Sequence, residues 1–319
     1  MTKRILVTGG AGFIGSHIVD LLIAQGHSVT VLDNESSGKP EQVHPQAAYV
    51  RGDVRDEALL ESVFAPGFDA VLHIAGQASI RLSFNDPAND LTVNTQGTIN
   101  VIQQCIRQRV PRLIFASSMT VYGDTAQVPT PESAPVNPLS NYAVTKYAAE
   151  RYVHIAAGRR DLDFDFNVTS MRMFNVYGER QSLTNAYQGV FAIFIGRVLR
   201  GEPILIHADG EQSRDFVHVS DVAQAWVRAI DTPATYGQVI NLGTGQATSV
   251  NQLCDLVLTA FGHTRDSYPV EYHPAQPGDM RVSAADIDRA KALLGWEPAI
   301  SVSEGMPATI HWAKQQQGH

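Results

Sequence analysis

The stretch Thr8-Gly-Gly-Ala-Gly-Phe-Ile-Gly15 constrains the fold more than any other part of the chain. It follows Arg4–Thr8, a continuous apolar run of the kind a strand buried on both faces requires. It leads into Gly12–Ala24, which has helical periodicity and stops at Gly26. Gly9, Gly12 and Gly15 give a G-x-x-G-x-x-G spacing. Glycines at such a junction let the backbone turn tightly and come close to a pyrophosphate, and the helix N-terminus presents N–H groups and a positive dipole end to it. An isolated triplet would equally serve a tight turn. Its place at the first strand–helix junction favours the dinucleotide reading.

The rest of the first half alternates in the same way. Strands are expected at Ser28–Leu32, Ala47–Arg51, Ala70–Ile74 and Leu113–Ser117, and helices at Ala58–Phe64, Ala88–Gln108 and Ser140–Ala157. This order predicts an α/β fold, a Rossmann-type doubly wound parallel sheet with helices on both faces. After about Tyr177 the pattern loosens. Helices are expected near Val190–Arg200, Asp221–Ala229, Asn251–Ala260, Asp286–Leu294 and Val302–Lys314. Ile204–His207 reads as a short strand, while Phe216–Val219 and Val239–Leu242 read as returns to the main sheet. The expected division is a Rossmann domain over 1–176, with returns near 216–243, and a smaller α/β substrate domain over 177–319, mainly 177–215 and 244–319.

Composition limits the alternatives. The 319 residues are 44% hydrophobic and 18% charged, as in a globular protein with ample core. A net charge of −8 with no basic block argues against a general nucleic-acid binder. The two cysteines, Cys105 and Cys254, form no C-x-x-C pair, which fits a reducing compartment. No apolar run is long enough to span a membrane, and the first residues pass directly into a strand, so a cytoplasmic location is expected. The 11 histidines are scattered without ligand spacing, so no metal is expected.

Asp33 ends the second strand, 18 residues beyond Gly15. A carboxylate there accepts hydrogen bonds from ribose hydroxyls and repels a 2′-phosphate, which favours NAD over NADP. Asn34, Ser36 and Ser37 are polar turn residues able to assist. Asp53-Val54 is placed either to meet an adenine or to cap the next helix. Further on, Tyr142-Ala-Val-Thr-Lys146 puts a phenol and an ammonium on one helical face, since positions i and i+4 are neighbours. A fixed cation lowers a phenol's pKa, making Tyr142 a candidate proton acceptor. Alone, this pair is weak evidence.

The motifs gain force as an ordered set. The glycine loop, Asp33-Asn34, Gly52-Asp53-Val54, His73-Ile-Ala-Gly-Gln-Ala-Ser79, Val93-Asn-Thr-Gln-Gly-Thr98, Ser117-Ser-Met-Thr-Val-Tyr-Gly123 and Tyr142-x-x-x-Lys146 occur in sequence. They continue through Arg172-Met-Phe-Asn-Val-Tyr-Gly178, Asp209-Gly-Glu-Gln-Ser-Arg-Asp-Phe216, Asn241-Leu-Gly-Thr-Gly245 and Pro277-Gly-Asp-Met-Arg281. Over nearly its whole length the chain resembles the extended short-chain dehydrogenase/reductases, nucleotide-sugar epimerase branch.

The resemblance implies Ser118, Tyr142 and Lys146 as the catalytic set. It implies a cofactor site of Gly9, Gly12, Phe13, Ile14, Gly15, Asp33, Asn34, Ser37, Asp53, Val54, Ile74, Ala75, Gly76, Gln77 and Asn94, with Tyr142 and Lys146. The implied reaction moves a hydride from sugar C4 to NAD, turns the 4-keto sugar over and returns the hydride to its other face. Family 4,6-dehydratases carry an acid just after the serine or threonine. Here Met119-Thr120 cannot ionise, which disfavours elimination.

On the substrate side the resemblance implies Asn175, Arg214 and Arg281 at a diphosphate. Either arginine alone would more often be a surface ion pair. Val190, Leu205 and His207 fall where the family cradles uracil, although an imidazole is unusual there and a plain surface histidine is the other reading. Ser79 and Ala78 line the sugar pocket by resemblance. Ser283, small where a bulky Tyr is common, predicts room for an acetamido group. The expectation is therefore C4 epimerisation of UDP-GlcNAc/UDP-GalNAc, with UDP-Glc/UDP-Gal as a second pair. Carboxylated sugars are disfavoured by Asn175, and a homodimer is implied through Ala88–Gln108 and Ser140–Ala157. Alternatives are a UDP-glucose 4-epimerase only, another enzyme of this fold such as a 4,6-dehydratase or reductase, and a non-catalytic NAD-binding regulator. Departures from the pattern are Gly76 for Ala, expected to be harmless, Glu179 for Pro, the segment Ser182-Leu-Thr-Asn185, and an added Arg81.

Overall fold

The computed structural model describes residues 2–183, 189–275 and 281–316. Thr184 and Asn185, residues 277–280 of the Pro277–Arg281 motif, and 317–319 of the polar tail lie outside them.

The chain opens with β1 (Arg4–Thr8), α1 (Phe13–Ala24), β2 (Ser28–Asp33), β3 (Ala48–Arg51), α2 (Glu57–Phe64) and β4 (Ala70–His73). There follow α3 (Ile80–Asn85), α4 (Pro87–Leu91), a π-helical turn Thr92–Gln96, α5 (Gly97–Arg107), β5 (Arg112–Ser118), α6 (Asn141–Ala157), β6 (Asn167–Met173) and β7 (Asn175–Tyr177). The C-terminal part holds α7 (Val190–Leu199), β8 (Ile204–His207), β9 (Ser213–Arg214), β10 (Phe216–His218), α8 (Val219–Ile230), β11 (Gln238–Leu242), β12 (Thr248–Ser249), α9 (Val250–Ala260), β13 (Val270–His273), α10 (Asp288–Leu294) and α11 (Val302–Gln316).

Seven strands form one parallel sheet in the order β3-β2-β1-β4-β5-β6-β11. The order reverses between β1 and β4, so the loops leaving these two strands flank the crevice where ligands of such sheets bind. One apolar cluster, including Ile18, Leu22, Val31, Met171 and Trp226, covers one face; a second, including Leu6, Phe64, Val101, Phe115 and Val153, covers the other. This is the expected doubly wound architecture. A separate cluster of Tyr177, Phe191, Phe194, Phe216, Leu253 and Ile310 is the core of the C-terminal α/β part.

Three expectations change. Val239–Leu242 does return to the main sheet, as β11 beside β6. Phe216–Val219 does not, because β10 pairs only with β7. The single helix expected over Ala88–Gln108 is α4, the π-turn and α5, interrupted where Asn94 sits. The buried strand β6 is not among the expected strands, because Thr169, Ser170 and Arg172 break its apolar pattern. Each of these polar groups has a partner: Thr169 donates to the Thr235 carbonyl at 2.6 Å, Ser170 meets His154 at 3.0 Å, and Arg172 pairs with Glu150. Satisfied polar groups are tolerated in a core that excludes unsatisfied ones. Among the described residues no helix is long and apolar enough to cross a membrane.

Candidate active site

The glycine loop leaves β1 beneath a second backbone. Gly9 has φ +74°, and a Cβ there would lie 2.7 Å from the Ala75 nitrogen. A Cβ on Gly15 would lie 2.1 Å from the Gly9 carbonyl oxygen. Both positions therefore require glycine. Gly12 caps α1 without any side-chain hydrogen bond. The first-turn N–H groups of Phe13, Ile14 and Gly15 are thus left for an outside acceptor, which is the donor set a pyrophosphate needs.

Asp33 is buried at the end of β2. It accepts from Ala11 N at 3.0 Å and Glu35 N at 2.8 Å, so it also ties down the glycine loop. Burial pushes its pKa up and these bonds pull it back. Asn34 donates to Asp53 at 2.8 Å, which joins the ends of β2 and β3. The helix-cap reading of Asp53 fails, because Asp56 caps α2. Instead, Arg55 binds the Asp53 carboxylate through Nε at 2.9 Å and Nη2 at 2.7 Å and holds its pKa down at about 2. Val54 is buried in the second core cluster, and Ser37 is exposed.

The loop after β4 is fastened on both sides. Ile74 N and Ala75 N donate to the Thr8 carbonyl at 3.1 and 3.0 Å. Asn94 accepts from Gln77 N at 2.8 Å and donates to the Gln77 carbonyl at 3.0 Å. Gln77 spends its amide on the Ser79 backbone and on Asp90. Gly76 is not a neutral departure here: a Cβ would fall 2.9 Å from Asn94 Oδ1, which is already fixed by Gln77.

Ser118 closes β5, and Tyr142 and Lys146 lie on α6; all three side chains are buried. The hydroxyl of Thr120 donates to Ser118 Oγ at 3.0 Å, and its N–H does so at 3.3 Å. With those lone pairs engaged, Ser118 is left to donate its own hydrogen. Lys146 Nζ lies 4.5 Å above the Phe115 ring, a cation–π contact. Burial drives its pKa down to about 8, against the pull of Asp90 and Glu150. The expected depression of the Tyr142 phenol is not what the structure gives. Burial raises its pKa, Ser118 lowers it and Asp90 raises it further, so the phenol keeps its proton at neutral pH. Below this group, His73 links Thr8 at 2.7 Å to Thr98 at 3.0 Å. Thr98 gives its hydrogen to the Asn94 carbonyl at 2.6 Å, so His73 donates from Nε2 and accepts at Nδ1. Burial and Lys146 keep it neutral, with a pKa of about 3.

The substrate side is assembled from shorter pieces. A cluster of Met119, Tyr122, Ala134, Phe174 and Ala285 packs the residues after Ser118 against those before Asn175 and after Ser283. Asn175 Oδ1 is buried without a hydrogen-bond partner. Ser213 N donates to the Arg281 carbonyl at 2.9 Å and Ser283 N to the Ser213 carbonyl at 3.2 Å, bringing Arg214, Arg281 and Ser283 onto one pair of strand-like segments. Asp215 holds the next loop by accepting from Thr244, Gly245 and Ala285 nitrogens at 2.7 to 2.9 Å. Arg214 is half-buried. Arg281 is exposed and forks onto Asp209 at 2.7 and 3.0 Å, the ion-pair reading foreseen for a lone arginine. Leu205 and His207 share one face of β8, half-buried, with Val190 at the start of α7. His207 Nδ1 meets the Pro274 carbonyl at 3.1 Å. Ser79 precedes α3 and caps it by accepting from Leu82 N at 3.1 Å.

The model of the NAD dependent epimerase/dehydratase family matches residues 5–243. The chain belongs to that family. A UDP-glucose 4-epimerase of Mycolicibacterium smegmatis is 39% identical over 321 residues, with 98% of this chain and 99% of the relative covered. The crystal structure of a UDP-glucose 4-epimerase of Thermotoga maritima with UDP-glucose superposes with a TM-score of 0.92 at 40% identity, covering 98% and 99% of the two chains. A UDP-N-acetylglucosamine 4-epimerase of Methanobrevibacter ruminantium, solved with UDP-N-acetylmuramic acid, has a TM-score of 0.91 at 33% identity and covers 99% of each.

As a member of the NAD dependent epimerase/dehydratase family the chain is an enzyme with NAD as its cofactor, and the bare N-terminus of α1, the two obligatory glycines and Asp33 fit that group. Sequence reasoning misses the residues that hold the candidate catalytic side chains in place. Glu150, on α6, accepts from Ser117 at 2.6 Å and from Arg172 at 2.6 and 3.0 Å, with both charges buried. Asp90 accepts from Thr145, Gln77 and Asn94. Its spacing of four from Asn94, on one helical face, is the available signal. Thr120 reads in the sequence only as a group that cannot ionise, although it aims Ser118.

Proposed function

We propose that the enzyme reversibly inverts C4 of a UDP-hexose, with UDP-glucose and UDP-galactose as its principal pair. The observation that carries the chemistry is the convergence of Ser118, Tyr142 and Lys146 at the carboxyl end of the sheet, with the glycine loop at its reversal point. The relatives at 39% and 40% identity, both UDP-glucose 4-epimerases, favour the plain sugars over the acetylated pair expected from Ser283.

NAD supplies a hydride acceptor that becomes the donor on the way back. Ser118 donates to the reacting oxygen, its hydrogen directed outward by Thr120. Tyr142 Oη returns a proton to the 4-keto sugar, and the phenol the structure favours is the form that does so. The other half-reaction needs the phenolate to take the C4 hydroxyl proton as the hydride leaves, and the Ser118 hydroxyl is the group beside Tyr142 that favours it. Between the two halves the sugar must turn while the nucleotide stays. Arg214 and Arg281 suit the diphosphate through their guanidinium N–H groups, and Asn175 through its amide Nδ2, a donor to phosphate oxygens. Val190, Leu205 and His207 suit the base. This assigns residues 1–176, with the return near 216–243, mainly to cofactor and chemistry, and 177–319, chiefly 177–215 and 244–319, to substrate, with Asn175 at their junction.

A second reading keeps the acetylated sugars, because Ser283 is small and buried where it would form the pocket wall. The homodimer reading is supported by exposed Val144, Tyr152 and Ile155 along one stripe of α6 and by exposed Leu91 on α4; sedimentation of the purified chain tests it. For the sugar, the protein is incubated separately with UDP-glucose and UDP-GlcNAc and the products are read by proton NMR. An axial-4 isomer from UDP-glucose, at the higher kcat/KM, is expected. A 4-keto-6-deoxy product would replace epimerisation by dehydration. If UDP-GlcNAc also turns over, Ser283→Tyr should remove that activity and spare UDP-glucose; equal loss of both rejects the size gate.

A further inference from the structure

Asp90 has no solvent exposure. Its Oδ2 accepts from Thr145 Oγ1 at 2.6 Å, and its Oδ1 accepts from Gln77 Nε2 at 2.7 Å and Asn94 Nδ2 at 3.1 Å. The donors belong to the catalytic helix, the loop after β4 and the π-turn. Thr145 immediately precedes Lys146, and the Thr145 carbonyl accepts from the Thr95 hydroxyl at 3.0 Å. One carboxylate therefore joins the turn that carries Lys146 to the loop that closes the cofactor crevice.

Hydrogen bonding alone does not require a charge at this position. An asparagine could still accept from Gln77 and Asn94, and its amide could donate to Thr145. The Thr145 hydrogen would then go to the Tyr142 carbonyl, 3.0 Å away. A buried carboxylate costs several kcal/mol unless a cation compensates it. The groups facing Lys146 are Asp90 from α4, Glu150 from α6, neutral His73 from β4 and the Phe115 ring from β5. Glu150 is already neutralised by the fork of Arg172. Among the described residues Asp90 has no comparable arginine, and of the groups facing Lys146 it is the carboxylate that favours the ammonium most.

We propose that Asp90 is a positioning residue of the hydride-transfer site, locking the turn of Lys146 to the loop after β4 and acting as counter-charge to its ammonium. The proposal rests on the epimerase reading for the site's chemistry, so one of its tests is independent of turnover. The sequence contains five lysines. With 13C at lysine Cε, NMR titration of the full-length protein follows them individually, and Lys146→Arg assigns the signal. In Asp90→Asn the Lys146 midpoint should fall by about one pH unit, and the alkaline limb of kcat should move down with it. Thr145→Val keeps the shape and the charge of Asp90 but breaks one tie, so turnover should fall several-fold with the midpoint unmoved.

An unmoved midpoint in Asp90→Asn overturns the counter-charge, and wild-type turnover in Thr145→Val overturns the lock. If Asp90→Asn does not fold, Asp90→Ser, which leaves an oxygen and room for water, carries the same test. If the wild type turns over no nucleotide sugar, the functional reading falls while the titration still decides Asp90.

Discussion

The two halves of the site are built differently. On the proposed cofactor side Ser118, Tyr142, Lys146 and Asp33 are buried, and each sits on or beside a strand or long helix that cannot move without breaking the sheet. On the substrate side Arg281 is exposed and paired with an equally exposed Asp209, and His207 leans on a loop carbonyl. The strands there are short pairs rather than a sheet. A hydride must travel along a fixed line, which demands a rigid half. A sugar that has to turn over is better served by a half whose side chains can exchange partners.

If the contrast holds, damage to the rigid half should fall on kcat. Tyr142→Phe keeps the ring and removes only the group that moves the proton. We expect kcat to fall by about 10²–10⁴-fold with KM little changed, since positioned acid–base groups contribute on that scale. A drop confined to KM would mean that Tyr142 only holds the sugar, and the contrast would fail at its centre.

Much of the rigid half is legible in the amino-acid sequence. A glycine triplet after an apolar run gives one conformation at that junction, because a Cβ at Gly9 or Gly15 would meet backbone atoms. Features set by long-range pairing are not legible. Strand β6 hides behind polar letters whose partners lie up to 66 residues away, as with Thr169 and Thr235. The helical letters of Ala88–Gln108 give no sign of the π-turn that lets Asn94 reach Gln77. The phenol's pKa moves the other way because the i, i+4 spacing of Tyr142 and Lys146 says nothing of how deeply both are buried. On the substrate side the arginines are legible as candidates, but not that Arg281 rests on Asp209.

The flexible half should respond in KM. Arg281→Ala removes one guanidinium from the proposed diphosphate site and frees Asp209, whose negative charge then remains beside it. A rise in KM of roughly ten-fold with kcat nearly unchanged is expected, the loss of about one charge-assisted hydrogen bond. The exposed pair adds little to folding, so the melting temperature should stay put. A large fall in melting temperature would make Arg281 part of the scaffold and narrow the difference between the halves. Asp209→Ala gives the opposite sign: without its resting partner Arg281 should bind the nucleotide at least as well.

The smallest expected effect is read in stability and concerns a buried histidine of the rigid half. His73 is fully buried and neutral between Thr8 and Thr98, with its pKa lowered to about 3. A depressed histidine binds its proton only after unfolding. Its contribution is therefore complete above the unfolded pKa of about 6.5 and is lost as the pH falls towards 3. From pH 7.5 to 5.5 the unfolded chain takes up nearly one proton at this position that the folded chain refuses, which lowers stability by about 1.4 kcal/mol. His17, His154 and His218, also depressed by burial, add to the slope. Urea unfolding of wild type and His73→Gln at the two pH values isolates one share, because glutamine offers a donor and an acceptor but does not titrate here. The variant should be less stable at pH 7.5 and lose about 1.4 kcal/mol less on acidification. If His73→Gln leaves the acid slope as it was, the sheet is not closed to protons, and the difference between the halves is one of geometry alone.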